Sequence, residues 1–118
     1  MPFSARILSI DNDDLLRLSR DLILRKEGYA VESVTCKSAL ELLPNEHFQI
    51  AVIGDSVNAS RSLQIAAALK QADPGIRILR VGQLSSPAGD SYDMICETLS
   101  SPGVFLEALK NLSRRAAA

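Results

Sequence analysis

The sequence Ile50-Ala51-Val52-Ile53-Gly54-Asp55 is the stretch that decides the fold. Its four consecutive apolar residues, three of them β-branched, are typical of a parallel strand that is covered on both faces. Gly54 and Asp55 then end the strand. A strand of this kind needs helices on both sides of its sheet, so the stretch predicts an α/β protein.

Shorter strands and helices alternate on either side of this stretch. Strands are predicted at residues 7–10, 30–34, 76–81 and 94–96, and helices at 15–26, 37–43, from Asn58 or Ser60 to about Gln71, and from 102 onward. The short connections between them indicate βαβ units, and hence a doubly wound sheet of five parallel strands with helices on both faces. The strand at 30–34 alternates imperfectly, which favours an edge position.

One segment breaks this alternation. Residues 82–93, GQLSSPAGDSYD, contain glycines, serines and a proline where another helix is expected. They carry no apolar pattern of helical period. We therefore predict a loop, or at most one helical turn, in this segment.

The first predicted helix has apolar residues at helical spacing: Leu15, Leu18 and Leu22, with Leu16, Ile23 and Leu24 beside them. We expect these residues to face the core and Arg17, Arg20 and Arg25 to face solvent. Asp13 or Asp14 is expected to cap the start of this helix, because a carboxylate there accepts hydrogen bonds from the free N–H groups of the first turn.

Composition sets the broad class of the protein. The 118 residues suit a single domain spanning residues 1–118. A net charge of -1 favours neither nucleic acid nor an anionic membrane as a partner. Neither Cys36 nor Cys96 has a CxxC or histidine partner, so no zinc site or disulfide scaffold is indicated. The opening residues lead into an apolar run that is far shorter than a signal-peptide core or a membrane span, so the cytoplasm is the expected compartment.

Acidic residues follow two of the predicted strands. Asp11, Asn12 and Asp13 follow the first strand, and Asp55 follows the third. Ligands of doubly wound sheets bind outside the carboxyl ends of the strands, where these oxygens could hold a hard cation such as Mg²⁺. The alternative is that the first acids only cap a helix and Asp55 only ends a strand. The presence of two acidic strand ends in one topology favours a site.

Six stretches, taken in order, resemble a known family: ILSIDNDD, EGYAVESV, SALELL, FQIAVIGD, LKQADPGIRILRV and SSPGVFLEAL. They are similar to the receiver domains of bacterial response regulators, and the resemblance covers almost the whole chain. It implies a flavodoxin-like doubly wound sheet with strand order 2-1-3-4-5, here with the fourth helix shortened or missing. It further implies a role in two-component phosphorelay signalling, without enzymatic activity, and a histidine kinase or other signalling protein as partner.

The same resemblance assigns the candidate site. It places Asp55 at the phosphoacceptor position and implies that Asp11, Asn12, Asp55 and the Val57 carbonyl are ligands of Mg²⁺. Asn12 stands where the family has a second carboxylate, so it keeps an oxygen but lacks the charge, and the magnesium site should be weakened. The neighbouring Asp13 would be the substitute carboxylate for the metal, although its expected role is to cap the first helix.

Two further positions depart from the family. Gly82 stands where the family has the hydroxyl residue that follows the phosphoryl group, and Thr98 stands where it has a lysine. Without that lysine, an acyl phosphate on Asp55 would lose a charge-assisted contact of about 1.5–3 kcal/mol.

Arg77 and Arg80 are unusual on a covered strand. Either they form a remodelled partner or homodimer surface, or they extend over neighbouring apolar groups.

Three classes of function compete. The first is a receiver domain that accepts a phosphoryl group on Asp55 with Mg²⁺ bound. The second is a pseudo-receiver that acts as an interaction or dimerisation module without phosphorylation, and the combined changes at Asn12, Gly82 and Thr98 favour it. The third is a flavin- or nucleotide-binding enzyme, which is disfavoured because no GxGxxG or GxxxxGK motif follows the first strand.

Overall fold

The computed structural model describes residues 6–42, 47–82, 92–97 and 102–117. In these ranges the strands are β1 (Arg6–Ile10), β2 (Ala30–Val34), β3 (Ile50–Ile53), β4 (Arg77–Gly82) and β5 (Met94–Glu97). The helices are α1 (Asp14–Lys26), α2 (Cys36–Leu42), α3 (Ala59–Ala72) and α4 (Pro102–Ala117). None of the helices in the described ranges is long and apolar enough to cross a membrane.

The five strands form one parallel sheet in the order β2-β1-β3-β4-β5. This confirms the predicted doubly wound fold with order 2-1-3-4-5 and the edge position of β2. Most of the segment predicted to lack a helix falls on residues 83–91, which lie outside the described residues. The described part of the chain contains four helices.

The core lies in two layers, one on each face of the sheet. Every residue of β3 is 0% exposed, as expected for a central strand that is covered on both sides. Ile53 of β3 packs with Ile65 of α3 in the layer under α2 and α3. Leu24 of α1 packs with Leu109 of α4 in the other layer. The sheet therefore separates α2 and α3 from α1 and α4.

The ends of the helices follow local rules that are visible in the sequence. The Asp13 carboxylate accepts a hydrogen bond from Leu16 N at 3.0 Å and caps α1. The Asn58 side chain accepts from Arg61 N at 2.8 Å and caps α3. Gly28 follows α1 with a φ of 94°, a left-handed conformation that favours glycine. Of the residues that the sequence offers at these two helix starts, Asp13 rather than Asp14 and Asn58 rather than Ser60 are the caps.

The outward face of α1 differs from the expectation. Leu15, Leu18 and Leu22 are 75%, 56% and 60% exposed, so the prediction that they face the core is wrong. Leu24 is fully buried, and Leu16 and Ile23 are partly buried. The helix thus has two apolar rows, and only the second of them packs on the sheet.

Arg20 explains why α1 is rotated in this way. It lies four residues after Leu16 and four before Leu24, so it shares their inward face. On that face its guanidinium reaches Asp11, which is 0% exposed at the end of β1. The opposite rotation would leave a buried carboxylate without a cation, at a cost of several kcal/mol, roughly 3–5 by analogy with broken buried pairs. The prediction that Arg20 faces solvent is therefore wrong.

An ion cluster at the other end of the sheet fastens α3 to β4 and β5. The Asp93 carboxylate accepts hydrogen bonds from Ile78 N at 2.7 Å and from Lys70 Nζ at 2.9 Å, and Arg77 lies beside it. Burial by itself would raise the pKa of Asp93. The hydrogen bonds from Lys70 and Ile78 and the charges of Lys70 and Arg77 outweigh that effect and bring the pKa below its ordinary value of 3.8.

The rotation of α1 can be tested by two leucine substitutions on the same helix. Leu18→Gln should change the free energy of unfolding by less than about 0.5 kcal/mol, because the side chain is exposed. Leu24→Ala should lower it by about 2–5 kcal/mol, because it empties a buried position. Urea denaturation measures both values. A larger loss in Leu18→Gln than in Leu24→Ala would contradict the observed orientation.

The Asp93 cluster predicts a pH dependence of stability. Because its pKa is depressed in the folded state, the ionised carboxylate stabilises the fold above about pH 4, and this contribution is lost as the pH falls through the folded-state pKa. Asp93→Asn should lower the free energy of unfolding at neutral pH by about 1–3 kcal/mol and flatten its acid dependence.

The matched control for Asp93 is Asp14→Asn, since the Asp14 side chain is 90% exposed. Urea denaturation at a series of pH values should show little change for this control. If Asp93→Asn kept the full acid dependence of the original protein, the assignment of that dependence to the cluster would be wrong.

Candidate functional site

The register of the sheet brings two acidic strand ends together. Ile10 of β1 lies opposite Ile53 of β3, and Gly54 N donates to Ile10 O at 2.8 Å. Asp11 therefore follows β1 beside Gly54, and Asp55 is the next residue along. The structure thus places Asp11 and Asp55 at the carboxyl edge of neighbouring strands, where the sequence predicts a site.

Asp11 is the buried member of this pair. Its side chain is 0% exposed. Burial raises the pKa of the Asp11 carboxyl above its ordinary value of 3.8, and the negative charge of Asp55 acts in the same direction. The Arg20 guanidinium and the Asp13 N–H lower the pKa in opposition. The carboxylate therefore depends on Arg20 as its main nearby positive charge.

Arg20 is the central side chain of the site, and the sequence analysis missed this role. Its Nη1 donates to Asp11 Oδ2, and its Nη2 donates to Asp55 Oδ1 at 3.1 Å. The Arg20 side chain is only 13% exposed, and that of Asp55 is 20% exposed. One guanidinium therefore bridges both carboxylates. The signal in the sequence was the spacing of Arg20 from Leu16 and Leu24, which places a cation within an apolar row.

Gly54 makes room for this bridge. A Cβ at this position would overlap Asp11 Oδ2 and would lie 2.5 Å from Arg20 Nη1. Real Cβ atoms are not found so close to other heavy atoms, so any side chain here would displace the ion pair. The absence of a side chain at residue 54 is therefore a requirement of the Arg20 bridge.

Asn12 and Ser56 fasten the two loops beside the acids. Asn12 Oδ1 accepts a hydrogen bond from Cys36 N at 3.1 Å, at the start of α2. Ser56 Oγ accepts hydrogen bonds from Asn12 N at 2.8 Å and from Asp13 N at 3.1 Å. The Asn12 oxygen, which is a predicted metal ligand, is therefore engaged with a backbone N–H group.

Arg80 occupies the interior of the same edge. It is 9% exposed, and it donates from Nη1 to Gly54 O at 2.6 Å and from Nη2 to Val57 O at 2.8 Å. Arg80 thus ties β4 to the loop after β3 and is not part of an open surface. Arg77 lies at the start of β4 beside Asp93, so the structure does not bring these two arginines together.

Gly82 adjoins the Arg80 side chain. A Cβ on Gly82 would lie 3.4 Å from Arg80 Nε, which is an ordinary van der Waals contact. The position at which the family resemblance implies a hydroxyl therefore borders a buried cation. Thr98, the position of the expected lysine, lies outside the described residues.

The predicted magnesium ligands do not fit a metal ion as they are arranged. Asp11, Asn12, Asp55 and the Val57 carbonyl each accept a hydrogen bond from the protein, and for three of them the donor is a guanidinium. Mg²⁺ takes oxygen ligands at short distances in nearly octahedral geometry, so the guanidinium groups that contact three of these oxygens would have to move away before it could bind. Within the described ranges, no group of three or more His, Cys, Asp and Glu side chains could hold a metal.

The packing of the ion pair on Gly54 can be tested directly. Gly54→Ala should lower the free energy of unfolding by about 1–3 kcal/mol, because the new methyl group overlaps Asp11 and Arg20. Gly75→Ala is the control, since a Cβ there would meet only Asp73 Oδ1 at 3.4 Å. Thermal or urea unfolding compares the two variants. Equal stability of both would contradict the close approach of the ion pair to residue 54.

Solved structures with the same fold include several response regulators. A CheY-like response regulator receiver domain protein from Methanospirillum hungatei gives a TM-score of 0.85 at 22% identity, covering 98% of this chain and 98% of that one. A response regulator receiver protein from Sinorhizobium medicae gives 0.81 at 21% identity, covering 96% and 97%. The response regulator TrrA from Thermotoga maritima, solved in complex with Mg²⁺ and BeF, gives 0.77 at 18% identity, covering 92% and 98%.

No family model matches the chain, and no curated protein matches it in sequence. The similarity to solved structures at these identities establishes the arrangement of strands and helices, which agrees with the resemblance drawn from the sequence. The chain therefore has the fold of the CheY-like response regulator receiver domains.

Proposed function

We propose that the chain is a receiver-type module of two-component signalling that acts by contact with a partner protein, without regulated phosphorylation of Asp55. The observation that carries this proposal is the Arg20 guanidinium, which is bound to both Asp11 and Asp55. The carboxylate at the acceptor position is thus already paired with a cation of the chain.

Phosphoryl transfer to a carboxylate depends mainly on charge neutralisation and positioning by cations. At this site Arg20 donates from both Nη atoms to carboxylate oxygens, and Arg80 donates from both Nη atoms to the carbonyls of Gly54 and Val57. An incoming phosphoryl group would have to displace these contacts. The arrangement favours an interaction module over a phosphoacceptor.

The outer face of α1 supports contact with another protein. Leu15, Leu18 and Leu22 are exposed and follow one another along one side of the helix. Contiguous exposed apolar side chains are characteristic of surfaces that partners cover. A histidine kinase, another signalling protein or a second copy of the chain would be the partner, with the cytoplasm as the expected compartment.

A second candidate is a receiver domain that is phosphorylated on Asp55. It is favoured by the position of Asp55, whose side chain keeps 20% exposure and lies at the carboxyl edge of the sheet. In this alternative, Arg20 would leave Asp55 when the phosphoryl donor binds. The two candidates differ in whether Asp55 becomes modified.

Incubation with acetyl phosphate or beryllofluoride in the presence of Mg²⁺ separates the two candidates. We expect no mass increase of the intact protein and no changes in amide NMR shifts near Asp55. A receiver domain that is modified under the same conditions serves as the positive control. A phosphorylated species that disappears in Asp55→Asn would overturn the proposal in favour of the second candidate.

A further inference from the structure

We infer that Arg20, assisted by Arg80, is a built-in counter-cation that stands in for a divalent metal, so that the native site takes up no Mg²⁺. This inference rests on the assignment of Asp55 and its surroundings under the proposed function. It goes beyond that function because it concerns which cation organises the site, whether or not Asp55 is modified.

Arg20 approaches from the α1 side of the sheet. It binds Asp11 and Asp55, two carboxylates that would repel each other without a positive charge between them. A guanidinium is suited to this because its planar, forked donors can contact two acceptors at once while the charge stays fixed. Its low exposure of 13% makes the contact a buried one, which solvent screens little.

Arg80 approaches from the opposite side of the sheet. Residue 80 alternates with Leu79, which faces α1 and α4, and shares the side of Ile78, which faces α2 and α3. Its guanidinium binds the carbonyl oxygens of Gly54 and Val57. Backbone carbonyls are oxygen ligands of the kind that hard cations take, so Arg80 performs with hydrogen bonds what a bound cation would do by coordination.

Arg20 alone contacts the two acids, and its positive charge lies between the carboxylates of Asp11 and Asp55. Arg80 adds a second buried positive charge at the same edge of the sheet, where it contacts backbone carbonyls. Asn12 adds no negative charge, and its oxygen is satisfied by Cys36 N. A further carboxylate at residue 12 would leave an excess negative charge, so the amide suits a site that is held by arginines.

The glycine at residue 54 provides independent support. A Cβ there would lie 2.5 Å from Arg20 Nη1, closer than real Cβ atoms come to other heavy atoms. The Arg20 head group therefore occupies space that is open because residue 54 has no side chain.

Thermal unfolding with and without millimolar Mg²⁺ tests the inference. The Tm of the original protein should not change with Mg²⁺. Arg20→Met keeps the apolar stem and removes the charge, so it should lower the Tm without metal and allow Mg²⁺ to raise it by about 5 °C. A Mg²⁺-dependent rise in the original protein, or none in Arg20→Met, would overturn the inference.

Matched variants separate the role of Arg20 from general effects on α1. Arg25→Met lies on the same helix, in an exposed pair with Asp21, and should remain insensitive to Mg²⁺. Arg20→Lys retains the positive charge and should also remain insensitive, although one ammonium group bridges the two acids less well. A response to Mg²⁺ in Arg25→Met, or a response in Arg20→Lys equal to that of Arg20→Met, would count against a specific counter-cation.

A second measurement keeps the inference testable if Arg20→Met does not fold. Mn²⁺ broadens the amide NMR signals of residues near its binding site, and it prefers the same oxygen ligands as Mg²⁺. The original protein should show no selective broadening at Asp11, Asp55 or Val57. Selective broadening there would overturn the inference.

The two proposals can fail separately. Phosphorylation of Asp55 in the original protein would overturn the proposed function. Binding of Mg²⁺ or Mn²⁺ by an original protein that is never phosphorylated would overturn only the counter-cation inference.

Discussion

The Asp11 carboxylate has no contact with solvent, and the Arg20 guanidinium is the charge that makes this burial tolerable. Removing one member of a buried ion pair leaves the other without compensation, which is a penalty comparable to emptying a buried position of the core. This constraint reaches beyond the two residues. It sets the rotation of α1, directs Leu24 into the core and leaves Leu18 outside, and requires a glycine at residue 54.

The fold and the side chains at its carboxyl edge make separate contributions to the site. The sheet still delivers Asp11 and Asp55 to neighbouring positions, because parallel strands in register end side by side. What surrounds them is a pair of arginines from opposite faces of the sheet. The fold decides which positions lie close together, and the residue types at those positions decide the chemistry of the site.

The two arginines of β4 illustrate how position along a strand decides the role of a side chain. Arg77 and Arg80 are an odd number of residues apart, so they lie on opposite faces of the sheet. Arg77 lies in the Asp93 cluster at the start of the strand, and Arg80 lies buried against the loop after β3. An arginine on a covered strand is therefore as consistent with a specific buried hydrogen-bond acceptor as with an open face of the sheet.

The sequence by itself determined the elements of the sheet and the two acidic strand ends, and it narrowed the helix caps to two nearby candidates each, because these features depend on neighbours within a few residues. The order of the strands followed from the family resemblance. Only the tertiary structure decided the rotation of α1 and the role of its arginine. The helix has two apolar rows of similar composition, and the choice depends on Arg20 meeting Asp11 and Asp55, which lie 9 and 35 residues away along the chain. The apolar pattern of the helix carries no information about charged partners that lie elsewhere along the chain.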